Sequence, residues 1–141
     1  MILSENKSYH VGDVTFSTPV RHHHPVETYG FVFNISGHTF SWIIDTGYFN
    51  EITDYYKGEL LIINVVLMEP KTGIGHLSIS DVKTILTKIK PDTAIITHFG
   101  TGIWKANPID IAQRLTDETG VNVIAARDGM KFDIDAMEIV K

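Results

Sequence analysis

The sequence has no cysteine, which excludes disulfides and thiolate metal sites alike. It also has no long hydrophobic run. The stretch from Leu60 to Met68, interrupted by Asn64, is far too short to cross a bilayer. The opening residues Met1 to Lys7 carry neither a basic cluster nor an apolar signal core. Positive charge is scarce: 12 Lys+Arg against 17 Asp+Glu leave a net charge of -5. Bulk electrostatics therefore give no reason to expect a nucleic-acid backbone as partner, although a local basic groove can coexist with an acidic total. No repeat, low-complexity tract or Pro-, Gly- or Ser-rich linker interrupts the chain, so a single domain over residues 1–141 is expected. Without cysteine or signal, the expected compartment is the cytoplasm.

What is present reads as a folded globular protein, 43% hydrophobic and 21% charged. Seven histidines and the carboxylates are the available ligands for a transition metal. Strands are expected at residues 14–20, 29–36 and 39–44, the last two joined by a short turn at Gly37-His38. Residues 51–57 form a short helix closed by Gly58. The Ile- and Val-rich run at 59–67 has the composition of a strand buried on both faces. Helix 80–90 places Val82, Ile85, Leu86 and Ile89 on one stripe, with Ser80 as its cap and Pro91 as its stop. A buried strand at 93–97 follows. Asn107-Pro108 then has the pattern of an N-cap and first residue of a helix ending at Gly120. Residues 121–126 and 130–132 close the chain as strands around an Asp128-Gly129 hairpin. A hairpin followed by alternating β and α elements implies an α/β domain with a mixed sheet and covering helices.

Three places put a possible ligand beside or between these strands, in the region where α/β sheets bind ligands. Asp45 follows Trp42-Ile43-Ile44, and a carboxylate ending a buried strand is costly unless a cation or several donors satisfy it. Taken alone, it more often caps its own turn through Thr46 and Gly47. His98 follows Ile95-Ile96-Thr97 and, taken alone, has the position of a satisfied core histidine. The run His22-His23-His24-Pro25 lies between the first two strands and could be a solvated loop.

The order of these segments carries more than any one of them. His-Pro-Val-Glu-Thr-Tyr-Gly-Phe precedes Ile-Ile-Asp-Thr-Gly and then a long apolar strand. Gly-His-Leu-Ser-Ile-Ser-Asp opens a helix, and Ile-Ile-Thr-His-Phe-Gly comes last. Over residues 8–134 this resembles the second half of the metallo-β-lactamase superfamily, in its phosphodiesterase-like and tRNA-processing branch. The resemblance implies metal ligands at His24, Asp45 and His98, with His22 as the register alternative to His24. It implies that Asp45 bridges two ions and that His76 assists the leaving group, although His76 could also be a turn histidine capping the next helix. The implied activity is ester or phosphoester hydrolysis by a hydroxide held between two metal ions. Zinc is the implied cofactor, and manganese and iron suit the same ligands.

The family motif His-x-His-x-Asp-His does not occur in the sequence. The resemblance therefore implies half of a four-layer αββα sandwich. Its first metal would keep His24 and Asp45, and its second Asp45 and His98. Such a half leaves an inner apolar face bare, for which Val32, Ile35, Trp42 and Ile44 are the candidates. A second copy, or a separately encoded N-terminal half carrying the motif, is the expected partner, and the isolated chain would be inactive without it. The alternatives are a non-catalytic oligomerisation or binding remnant, and an inert fragment of a longer hydrolase. The substrate is not legible. Residues 100–106, with Trp104 and Lys105, are either its contact loop or an ordinary connection with one packed tryptophan.

Overall fold

A computed structural model describes residues 1–141. Seven strands form one sheet in sequence order: β1 (Lys7–Val11), β2 (Val14–Thr18), β3 (Phe31–Ile35), β4 (His38–Ile43), β5 (Leu60–Asn64), β6 (Thr93–Thr97) and β7 (Asn122–Ala125). The first four are antiparallel, with two-residue turns joining β1 to β2 and β3 to β4 and a longer loop joining β2 to β3. From β4 to β7 the strands are parallel, each pair joined by a helical crossover. The crossover helices are α1 (Ile52–Tyr55), α2 (Ile79–Ile89), α3 (Thr101–Lys105) and α4 (Pro108–Thr119). No helix is long and apolar enough to cross a membrane.

All four helices pack on one face of the sheet. Ile52, Ile85, Leu86, Ile103, Ile111 and Leu115 bury against Ile43, Leu61, Ile63, Ala94 and Ile96 in one continuous core. The apolar stripe of helix α2 produces this, with Val82, Ile85 and Leu86 fully buried. Its cap is Ser78 rather than the expected Ser80. The Ser78 hydroxyl accepts from the Asp81 amide while the Asp81 carboxylate accepts from the Ser78 amide. At the other end Lys90, with φ of 51°, ends the helix one residue before Pro91. Asn107 and Gly120 bound α4 as the sequence predicts.

The opposite face is lined by Phe16, Phe31, Phe33, Phe40 and Trp42, cross-strand partners in register. Ile35 and Trp42 belong to this face as expected from the pattern, and Ile44 is half-buried just beyond β4. Val32 does not, because the pleat turns it toward the helices, where it packs on the main core. The chain end forms a small separate hairpin, β8 (Phe132–Asp133) with β9 (Glu138–Ile139). Its Phe132, Ile134 and Met137 pack against Phe40, Leu60 and Ile95 on the aromatic face. The expected hairpin around Asp128-Gly129 is therefore not formed. Those two residues make a turn, closed by the Met130 amide on Arg127 O, with no ladder across it.

Strand β1 and helix α3 have no counterpart in the sequence reading. The first is largely exposed, with a pattern too polar to signal burial. The second converts the expected loop at 100–106 into a turn of helix whose Trp104 is 60% exposed rather than packed.

Candidate metal centre

Parallel strands deliver their C-terminal ends to one rim, and the register shows what stands there. Ile43, Ile63, Ile96 and Ala125 lie in one row across β4, β5, β6 and β7. Two residues beyond that row stand Asp45, Val65, His98 and Arg127. Two chemically active side chains far apart in sequence thus emerge at neighbouring positions. His98 does so with φ of 63°, a left-handed conformation that a non-glycine residue adopts at a cost and that redirects its ring.

Two loops complete the rim. The segment 22–30 between β2 and β3 brings His24, and the segment before α2 brings His76. Side-chain ligand atoms of His24, Asp45 and His76 lie within 4.8 Å of one another. The His98 Nε2 lies 3.8 Å from Asp45 Oδ2. The His76 ring faces both other histidines, with centroids 5.5 Å from His24 and 6.2 Å from His98. Four of the residues singled out in the sequence therefore converge. The three that group most tightly include His76, where the resemblance points to His98.

Each is held from behind. Asp45 Oδ1 accepts from the Asn64 amide at 2.9 Å, and Asn64 Oδ1 accepts from Trp42 Nε1 at 3.1 Å. This relay leaves Oδ2 facing the cluster. The Nδ1 of His24 lies 3.2 Å from Val26 O and 3.3 Å from Thr28 Oγ1, and as an N–H donor to either it leaves an unprotonated Nε2 free to ligate. Thr46, fully buried behind Asp45, accepts from the His23 amide through Oγ1 and donates to Gly47 O. The Gly47 amide donates to His23 O at 2.8 Å. Gly75 lets the third loop close in. It has φ of 76°, and a Cβ there would stand 2.9 Å from Pro25 Cδ and 3.2 Å from both His23 O and His24 Cα.

His22, the register alternative, points elsewhere. It is 2% exposed. Its Nε2 meets the Tyr56 hydroxyl at 2.5 Å and its Nδ1 meets Asp45 O at 3.3 Å. Burial pushes its pKa down to about 4, against the opposing pull of the Asp45 carbonyl and carboxylate. The same burial holds the Tyr56 hydroxyl above its ordinary value. A neutral ring donating from Nδ1 and accepting at Nε2 satisfies both contacts, so His22 anchors the backbone under Asp45.

The donor set suits a divalent metal of the zinc type: two imidazoles and a carboxylate, with room for water as a fourth ligand. A buried orphan supports the fit, because His76 Nδ1 has no hydrogen-bond partner. Sequence reasoning missed the supports. Asn64 was visible only as an interruption of an apolar run, and nothing in the sequence links Trp42 or Thr28 to the site.

Comparison with known proteins gives a consistent picture. The family model described as a beta-lactamase superfamily domain matches residues 1–99, the segment that holds the three rim histidines and Asp45. An uncharacterized protein of Methanocaldococcus jannaschii is 29% identical over 93 residues, which are 64% of this chain and 34% of that protein. The metallo-β-lactamase fold protein YhfI of Bacillus subtilis is 17% identical, with a TM-score of 0.76 over 90% of this chain and 52% of that one. Zn2+-bound PqqB of Methylobacterium extorquens is 16% identical, with a TM-score of 0.68 over 93% and 54% respectively. The chain spans 34% of the length of the archaeal relative and 52–54% of these two solved chains.

Proposed function

The chain belongs to the beta-lactamase superfamily, and from that premise we propose that it is a metal-dependent hydrolase of a phosphoester or related ester. The observation that carries this reading is the grouping of His24, Asp45 and His76 within 4.8 Å, one of them with an unpartnered buried nitrogen. Zinc is the proposed metal, supported by the donor set and by the Zn2+-bound state of one solved neighbour.

Bound there, a divalent ion supplies Lewis acidity to the ester oxygen and lowers the pKa of a water. The chain's own residues do the rest. Asn64 and Trp42 fix the direction of the Asp45 carboxylate, and Val26 O and Thr28 Oγ1 orient the His24 ring through Nδ1. His98, half-exposed beside the other oxygen of Asp45, would help hold a second ion if a further segment supplied that ion's remaining ligands. With a single ion in place, it is positioned to pass a proton to the departing oxygen.

The aromatic face supports a further part of the reading. Phe16, Phe31, Phe33 and Trp42 are only half-buried, and the C-terminal hairpin packs on the neighbouring patch. Covering such a face is favourable. The proposed cover is a second copy of this chain or a separate N-terminal half bearing His-x-His-x-Asp-His.

The test is turnover of a chromogenic phosphodiester by the zinc-loaded protein. With the aromatic face covered by a second copy or by an added N-terminal half, wild type hydrolyses it and Asp45→Asn does not. Equal rates would remove Asp45 from the chemistry. No turnover in either would favour the competing reading, a binding or oligomerisation module that retains the ligand residues.

A further inference from the structure

Arg127 occupies the rim position next to His98, two residues beyond the shared row on the neighbouring strand. It is exposed, and its guanidinium makes no ion pair. A hollow of about 300 Å³ lies between them, bounded also by Phe99, Trp104 and Asp128. Trp104, Ala126 and Arg127 line a second hollow as well, of about 390 Å³, which runs on between α4 and the free edge of β7. That groove is mostly apolar, walled by Pro108, Ile109, Ala112, Ile124 and Met130. Two of its large side chains stand largely in water, Ile109 at 69% and Trp104 at 60% exposure. Trp104 is held upright by an edge-to-face contact with Phe99, centroids 5.7 Å apart.

We propose that these two adjoining hollows together select a phosphoester bearing an apolar alkyl or aryl group. The ester would lie at His98 with its negative charge toward Arg127, and the apolar group in the α4–β7 groove. The inference rests on reading the rim as a hydrolytic centre. Three features argue for a substrate group as the occupant. The groove adjoins the rim hollow across the shared residues Trp104, Ala126 and Arg127. A cation without a partner stands at the junction, in a chain of net charge -5, where an anion completes it. The volume is that of a small-molecule site, with apolar walls and few polar groups to fix orientation. Asp128, on the same hollow, opposes anions, so the anion must sit on the Arg127 side.

Hexyl phosphate and ethyl phosphate are the probes, titrated into the full chain and followed by amide and side-chain NMR. They share the charged group and differ by four methylenes. Hexyl phosphate is expected to bind at least about tenfold more tightly, since each buried methylene contributes favourably. The shifts should centre on Ile109, Ala112 and Arg127. Ile109→Glu, at a largely exposed position, should erase the preference, and Arg127→Ala should weaken hexyl phosphate about tenfold. Equal binding of the two probes, or shifts centred elsewhere, would overturn the proposal. So would groove signals that move with protein concentration alone, because a second copy would then fill the groove. A separate zinc titration distinguishes the two failures. Zinc binding without a chain-length preference removes only the groove, whereas the preference without zinc binding removes the hydrolytic reading and leaves an amphiphile-binding groove.

Discussion

The side-chain amide of Asn64 donates to Asp45 Oδ1 at 2.9 Å, joining the end of one parallel strand to the carboxylate beyond its neighbour. Orienting contacts of this kind commonly govern metal affinity by about 10–100-fold. Asn64→Leu is expected to weaken zinc binding within that range while the fold persists, read by competition with a chromophoric chelator. Unchanged affinity would mean that the carboxylate needs no such support.

Gly75 lets the loop holding His76 close on the loop holding His24. Alanine there meets both a positive φ and a Cβ 2.9 Å from Pro25 Cδ. Gly75→Ala should cost about 1–3 kcal/mol of stability and displace His76 from His24. Thermal unfolding reads the first effect and zinc affinity the second.

The buried imidazole of His22 gives a pH signature. Its pKa is about 4 when folded against about 6.5 in an unfolded chain. Between those values the unfolded state binds the extra proton, so stability falls as pH falls. Above pH ~6.5 the group contributes no dependence; below pH ~4 the loss levels off, at up to about 3 kcal/mol. In metal-free protein its ring nitrogens should remain in the neutral form by NMR until the pH nears 4. A midpoint near 6.5 would contradict the buried, doubly bonded ring.

Much of this was legible in sequence because it depends on local pattern. The α2 stripe, the Asn107-Pro108 start, the Gly120 end and the apolar strand at 93–97 each follow from spacing and capping. So does the placement of Asp45 and His98 at strand ends, which becomes adjacency once the strands are parallel neighbours. The role of His76 is not legible as a grouping with His24, since the close approach of the Gly75 loop to the loop holding His24 brings them together. Val32 was misassigned because one residue of phase reverses a strand's faces. The Asp128-Gly129 pair was read as a hairpin because turn chemistry marks a turn without saying which strands it joins.

Zinc stoichiometry after exhaustive dialysis, measured on wild type, Asp45→Asn and His76→Ala, tests the centre most directly. A single zinc per chain in wild type, with affinity reduced more than about 100-fold in either variant, is the predicted result. A wild type that retains no metal, or a His76→Ala variant that binds zinc as tightly as wild type, would contradict it.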